Sequence, residues 1–165
     1  MAGHIIYVHT TLSAPPEIVW DVVTDVARAD QVFRSVKRSE LLTEGEFDVD
    51  TCWREERTFF GHHGHEERRV IECDPPRRAV VETAVGRDIV RTAYRITPFG
   101  AEGDRTRLAM TTTLDTSGRS VLGRVEWSLL GGHSYERTHK MLEHDLEDIE
   151  AEVHRRGGGT GTHAA

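Results

Sequence analysis

Two charged residues stand among apolar ones in a segment that is predicted to be a β-strand, residues 48–59. Alternate side chains of a strand point to opposite faces of a sheet. The face with Trp53 is the more apolar one and is predicted to point inward, so Glu55 and Arg57 point inward with it. A buried carboxylate and guanidinium are costly unless they are paired or reach a polar cavity. The alternatives are a solvated rim and the opposite strand register.

A histidine on an apolar helix face is a second candidate for chemistry. His139 lies three residues before Leu142 in a predicted C-terminal helix, so it is expected on the face toward the sheet, and Tyr135 points the same way. Histidine changes its charge near neutral pH, which suits general acid–base catalysis. A core histidine with satisfied hydrogen bonds is the alternative explanation.

Two further predicted strands, 88–97 and 105–115, carry polar side chains on their inner faces. A tyrosine on an inner face must find a partner for its hydroxyl group. Each of these residues alone would also fit a plain hydrophobic core. The two predicted inner faces consist of Val90, Thr92, Tyr94 and Ile96, and of Leu108, Met110, Thr112 and Leu114.

The segment Phe59-Phe60-Gly61-His62-His63-Gly64-His65 predicts a histidine-rich hairpin tip. A turn does not guarantee the geometry of a zinc site, and no nearby carboxylate or thiol completes a ligand set, so no metal is predicted. If His62-His63 is the two-residue turn, Cys52 faces Cys73 on the neighbouring strand. We expect both thiols to be free in a reducing cytosol. No cofactor is predicted, because phosphate-binding and nucleophile motifs are absent.

Composition and charge narrow the class of protein. The chain has 165 residues, of which 37% are hydrophobic, and a formal net charge of −7. This acidic balance, without a dense basic stripe, argues against nucleic acid as a partner. There is no apolar run of about 18 residues that would span a membrane. The sequence also lacks a signal peptide, so a cytoplasmic protein without stable membrane insertion is expected.

The order of the predicted elements is a strand, short helices, a series of strands and a long helix. Short connections favour an antiparallel meander. Gly131-Gly132 predicts a kink or a break in the last helix. A single domain over 1–156 and a disordered glycine-rich tail over 157–165 are expected. The predicted elements are strand 4–12, a helix at about 15–24, a second short helix or turn over 25–34, strands 34–43, 48–59, 65–73, 78–85, 88–97 and 105–115, and a helix from 121 to about 153.

Three segments resemble the START-like (Bet v 1-like, SRPBCC) superfamily. Residues 14–25, Ala-Pro-Pro-Glu-Ile-Val-Trp-Asp-Val-Val-Thr-Asp, resemble its helix-opening motif, and Asp74-Pro75-Pro76-Arg77-Arg78 and Asp104-Arg105-Thr106-Arg107-Leu108 resemble its turn and strand signals. The chain looks most like the polyketide cyclase/dehydrase and lipid transport family. After Asp25 it reads Val26-Ala27-Arg28-Ala29-Asp30 where relatives often have Trp-Pro, so the second helix is expected to differ.

The resemblance implies an α+β helix-grip fold, in which a curved antiparallel β-sheet of about seven strands wraps around the long C-terminal helix, with two short helices after the first strand. Such a fold leaves a hollow between sheet and helix. The resemblance implies that a small hydrophobic or aromatic molecule, such as a lipid or polyketide, binds there. The expected ligand-binding residues are Trp53, Thr92, Tyr94, Leu108, Met110, Thr112, Tyr135, His139 and Leu142.

The alternative function that the resemblance implies is that of a polyketide cyclase/dehydrase, which closes a ring by aldol chemistry and removes water. Arg57 or Tyr94 would then polarise a carbonyl, and His139 or Glu55 would move a proton. The expected partner is a small hydrophobic molecule, bound by a monomer or a homodimer. A third hypothesis is a docking surface on the acidic helix face from Glu143 to Glu152.

Overall fold

The computed structural model describes residues 4–59, 62–117 and 121–158, with side chains except in 4, 58–63, 121–134 and 158. Seven strands and a long C-terminal helix account for most of these residues. The elements are β1 (His4–Leu12), α1 (Pro16–Val23), a 3-10 turn (Val26–Arg28), α2 (Ala29–Val32), β2 (Arg38–Leu41), β3 (Cys52–Phe59), β4 (His62–Asp74), β5 (Arg78–Val85), β6 (Asp88–Phe99), β7 (Arg105–Asp115) and α3 (Val121–Gly158).

All seven strands form one antiparallel sheet in the order β1-β7-β6-β5-β4-β3-β2. The main hydrophobic core lies between the inner face of this sheet and the helices α1 and α3. The predicted fold class, an α+β helix-grip fold with short helices after the first strand, is confirmed. Within the described ranges, no helix is long and apolar enough to cross a membrane.

Alternation along β1 explains why one face of the sheet is buried. Ile6 and Val8 are at most 5% exposed, whereas Ile5 and Tyr7 between them are more than half exposed. Helix α1 follows directly, with a proline in its first turn, where the missing N–H is not needed. Its Val19 packs into the same core as β1. The first strand and the first helix therefore form one side of the core.

The C-terminal helix is continuous across Gly131-Gly132, so the predicted break into two helices is wrong. Two interior glycines cost about 2 kcal/mol. Burial of Leu142 and Ile149 against the sheet outweighs that amount, since each contributes about 1.5–3 kcal/mol. The helix extends to Gly158, and residues 159–165 of the predicted tail lie outside the described residues.

The β3–β4 hairpin turns earlier than the sequence predicts. Phe59 pairs with His62 and Thr58 with His63, so His62-His63 belong to β4 and do not form the turn. Because a hairpin's register is set by its turn, every pair between the strands shifts. Cys52 therefore faces Arg69, and the predicted pairing of Cys52 with Cys73 is wrong. Both cysteines are free thiols.

Candidate functional site

A group of charged side chains is buried on the inner face of β3 and β4. Glu55 faces Glu66 across the two strands, and each strand adds an arginine two residues further on. Helix α3 contributes an aspartate. None of the five is more than 7% exposed. We call this group the charge cluster, and it consists of Glu55, Arg57, Glu66, Arg68 and Asp145.

Glu55 is the centre of the charge cluster. Its Oε2 lies 3.1 Å from Nε of Arg57 and 3.1 Å from Nε of Arg68. Its Oε1 accepts a hydrogen bond of 2.8 Å from the indole N–H of Trp53. Burial alone would raise the pKa of Glu55, but the charges of Arg68 and Arg57 outweigh it and hold that pKa below its ordinary value. Glu55 is therefore an ionised carboxylate.

Asp145 connects the charge cluster to helix α3. Its Oδ2 accepts a hydrogen bond of 2.8 Å from Nη1 of Arg57, and its Oδ1 accepts one of 2.6 Å from the hydroxyl of Ser35. Burial opposes the charge of Arg57, but Asp145 and Glu55 together raise its pKa above the ordinary value. The guanidinium is thus held between two carboxylates, one on the sheet and one on the helix.

Glu66 differs from the other carboxylates of the charge cluster. Burial raises its pKa to about 7, with a further contribution from the charge of Glu55, although Arg68 and Arg57 act in the opposite direction. Within the described part of the chain, its Oε2 has no hydrogen-bond partner. Glu66 therefore exchanges a proton near neutral pH.

A pocket lies between the charge cluster and the short helices. Its lining mixes charged and polar side chains with aromatic and aliphatic ones. The centre of a water-sized sphere can occupy a volume of about 20 Å³ inside the pocket. This volume is enough for about one water molecule. The pocket is lined by Val23, Val26, Ala29, Phe33, Phe47, Trp53, Glu55, Arg57, Arg68, Val81, Tyr94, Met110 and Asp145.

Tyr94 provides an uncharged polar group in this pocket. Among the described residues, no side chain or backbone group forms a hydrogen bond with its hydroxyl. Burial raises the pKa of Tyr94, so the group stays a neutral phenol. A phenol can both donate and accept a hydrogen bond. The hydroxyl is therefore available to a bound molecule.

Two phenylalanine rings close the pocket on the side of the connecting segments. Phe47, from the β2–β3 connection, packs edge-on against Trp20 with ring centres 6.0 Å apart and lies 6.3 Å from the Trp53 ring. Phe33, just after α2, lies under the guanidinium of Arg57 at 5.9 Å. Both rings are only partly buried.

The structure brings several of the predicted site residues together and separates others. Trp53, Glu55, Arg57, Tyr94 and Met110 all line the pocket. The remaining sheet residues lie in the core beside it, and the lining does not include them. They are Leu108 and the pair Thr92 and Thr112, whose hydroxyls are 3.0 Å apart, and Leu142 of α3 lies in the same core.

His139 and Tyr135 lie away from the pocket. The Tyr135 hydroxyl donates to the backbone carbonyl of Ile5 at 3.0 Å, and its ring stacks on that of His139. His139 lines a surface groove between α3 and β1. The face of α3 toward the sheet carries Thr138 and Leu142, and His139 is rotated by about 100° from Thr138. His139 therefore lies beside the helix face that points toward the sheet, and not on that face as predicted.

Glu66, Arg68 and Asp145 were missed by the sequence analysis. Alternation along the predicted strand 65–73 places Glu66 and Arg68 on the same face as Val70, which is fully buried. Asp145 follows Leu142 by three residues and so continues its helix face. The alternation along the strand and the spacing along the helix are both visible in the sequence and could have identified these three residues. No group of three or more metal-binding side chains occurs in the described residues.

The fold and the pocket together define a helix-grip protein of the START type. The family model described as polyketide cyclase / dehydrase and lipid transport matches residues 4–147. The chain therefore belongs to this family. No curated protein matches the chain.

Solved structures with the same fold include two enzymes and a START superfamily protein. The Zhui aromatase/cyclase from Streptomyces sp. R1128 is 21% identical, with a TM-score of 0.68 over 97% of this chain and 99% of that chain. A START superfamily protein from Mycobacterium smegmatis is 18% identical, with a TM-score of 0.67 over 92% and 98%. A norcoclaurine synthase point mutant from Thalictrum flavum is 14% identical, with a TM-score of 0.70 over 94% and 97%. At these identities the likeness establishes the fold.

Proposed function

We propose that this protein binds a small hydrophobic or aromatic molecule in the pocket next to the charge cluster. The observation that carries the proposal is the mixed lining of the pocket. Trp53, Val81 and Met110 offer apolar contacts, and the Tyr94 hydroxyl and Arg57 offer polar ones. Apolar walls with a few converging polar groups are the usual lining of a ligand site.

The energetics of the charge cluster support a functional role. Replacing a buried ion pair by apolar residues of similar volume is often neutral or stabilising, so such a pair is weak evidence for a purely structural role. Perturbed ionisable groups around a cleft are typical of functional sites. Arg57 and Glu55 both reach the pocket wall. Contact with a polar group of the ligand accounts both for the presence of these buried charges and for their position at the pocket.

Binding requires that the pocket expand. The space inside it, about 20 Å³, is too small for an aromatic molecule. The rings of Phe33 and Phe47 are partly buried and lie outside the sheet, so they are the side chains that we expect to move. Ligand entry past Phe47 would expose Trp53, whose ring it contacts.

A titration with 2-naphthol, followed by calorimetry, tests the proposal. We expect saturable binding by the natural protein and its loss in Val81→Phe, because Val81 lines the pocket and the added ring takes the space into which the pocket must expand. Ala84→Phe, on the exposed face of the same strand, is the control and should bind normally. Circular dichroism checks that both variants fold. Equal binding by the two variants would contradict the proposal.

The second candidate function is that of a cyclase/dehydrase on a poly-β-ketone. Two observations favour it: the match to a family with that description, and a pocket that contains Arg57, Tyr94 and Glu55 together. Arg57 or Tyr94 would stabilise the oxygen of a polarised carbonyl. A carboxylate would remove the proton from the attacking carbon, and water would leave after ring closure.

Tyr94→Phe separates the two functions. A carrier should change only its affinity, whereas a cyclase should lose turnover and keep its affinity. Poly-β-ketone thioester mimics serve as substrates, with ring closure followed by ultraviolet absorbance. If the natural protein does not accelerate ring closure, the cyclase candidate is excluded and the binding proposal stands on the 2-naphthol titration alone.

A further inference from the structure

We propose that the surface groove between β1 and α3 binds an extended basic segment of a partner protein, which adds to the sheet as a further strand. Residues 7–10 of β1 form one side of this groove, and residues 139–150 of α3 form the other. The groove shares no lining residue with the pocket, so the proposal does not rest on the proposed function. The space in the groove is about 530 Å³, against about 20 Å³ in the pocket.

Strand β1 offers an open edge to this groove, because it stands at one end of the sheet beside β7. The carbonyl of Ile5 accepts a hydrogen bond from the Tyr135 hydroxyl on α3, so it points away from β7. Outward-pointing residues alternate in an antiparallel pair, so Tyr7 and His9 also direct their N–H and C=O groups outward. Among the described residues, no loop or helix backbone group pairs with them. These groups are therefore available to an added strand.

The helix side of the groove is acidic. Glu143, Glu147 and Glu150 follow one another at spacings of four and three residues, so they lie on one stripe of α3. All three are exposed, and Glu147 pairs with Arg34 at 3.2 Å. Among the described residues that line the groove, none is a lysine or an arginine. The charge favours a basic partner over a second copy of this chain, which would bring the same glutamates together.

The two sides of the groove also have matching lengths. Tyr7 to Thr10 spans about 10 Å as a strand, and Glu143 to Glu150 spans about 10 Å along the helix. Residues of an added strand opposite Tyr7 and His9 would share the outer face of the sheet with them. Because Tyr7 is 54% exposed there, apolar side chains fit these positions. The side chains between them would point toward the glutamates, so the segment should alternate basic and apolar residues.

Fluorescence anisotropy with a pair of rhodamine-labelled peptides tests the proposal. The first peptide is Arg-Val-Lys-Val-Arg-Val-Lys. The second has proline in place of each valine, so it has the same charge but lacks the N–H groups that would face β1. We expect saturable binding of the first peptide and at least tenfold weaker binding of the second. Equal affinities would indicate attraction by charge alone and would overturn the proposal, as would no binding of either peptide.

Charge reversal in the groove gives an independent test. Glu143→Lys with Glu150→Lys should weaken binding of the valine peptide at least tenfold. Glu17→Lys with Glu44→Lys is the control, because it changes the net charge equally at exposed positions outside the groove, and it should weaken binding less than threefold. Circular dichroism checks that both double variants fold. Equal weakening by the two would contradict a site in this groove.

The open edge is tested by a proline in β1. His9→Pro removes an outward N–H, and edge strands accept proline at such positions. It should weaken binding of the valine peptide at least tenfold relative to His9→Thr, which keeps the N–H. Equal binding by the two variants would refute pairing with β1, and the charge reversal decides if His9→Pro does not fold. A dimer in analytical ultracentrifugation that His9→Pro dissociates would identify a second copy as the occupant and would also overturn the proposal.

Discussion

The proton of Glu66 gives a prediction that does not depend on any ligand. The pKa of Glu66 is about 7 in the folded protein, against an ordinary value of 4.5. A carboxyl group with a raised pKa binds more protons in the folded state than in the unfolded state between these two values. Its contribution to the free energy of unfolding is therefore complete below pH 4.5 and is lost as the pH rises toward 7.

The expected magnitude follows from the shift. The full shift corresponds to about 3 kcal/mol, and solvent screening reduces the expected effect to about 1–2 kcal/mol. Glu66→Gln cannot ionise, so it should keep the stability that the natural protein loses. Relative to the natural protein, the variant should therefore be more stable at about pH 8 than at about pH 5.

Urea unfolding followed by circular dichroism at these two pH values measures this difference. Glu67→Gln is the matched control, because Glu67 is the next residue, its side chain is 59% exposed and it pairs with Arg54 at the surface. The control should show no comparable change with pH. If the difference between Glu66→Gln and the natural protein is the same at both pH values, the argument that burial holds a proton on Glu66 is refuted.

Three further variants test the packing and the charges around the pocket. Arg57→Met should lower the free energy of unfolding by about 3–5 kcal/mol because it leaves buried carboxylates unpaired. Arg54→Met, at the surface, should lower it by less than about 1 kcal/mol. Equal losses of stability in urea unfolding would contradict the burial argument. Phe47→Ala should bind 2-naphthol more tightly than the natural protein does, because the substitution removes a ring that closes the pocket. Calorimetry measures the affinity, and weaker binding by the variant would mean that the ring forms part of the binding site. Thr92→Val should lower the free energy of unfolding by about 1–3 kcal/mol because it leaves the Thr112 hydroxyl unpaired. The double variant Thr92→Val with Thr112→Val should recover part of that stability. If the double variant is no more stable than Thr92→Val, the hydrogen bond does not contribute as argued.

Local patterns were sufficient to predict most of the fold. The strands β1, β5 and β7 have the bounds that alternation and turn residues indicate. The inward faces of β6 and β7 follow the predicted parity, since Val90, Thr92, Leu108 and Met110 are all at most 4% exposed. Parity works here because the inner faces of these two strands are buried against the core. The same argument correctly placed Glu55 and Arg57 inside.

The candidate site was predicted less completely, because it depends on contacts between distant segments. Asp145 meets Arg57 across 88 positions of sequence, and only the packing of α3 on the sheet brings them together. The phase of that helix also decides that His139 lies in the groove beside β1. A shift of one residue in a helix turns a side chain by about 100°, so a stripe of apolar residues alone did not fix its direction.

The most direct test of the central claim is a nuclear magnetic resonance titration of the labelled protein with 2-naphthol. The indole N–H of Trp53 donates to Glu55, and both residues line the pocket, so its resonance reports on the apolar and the charged parts of the lining. We predict that this resonance and the backbone signal of Met110 shift and saturate together, while the signals of the exposed residues Ile5 and Tyr7 stay in place. Saturable shifts at Ile5 and Tyr7 without a change at Trp53, or no saturable shift at all, would contradict the account.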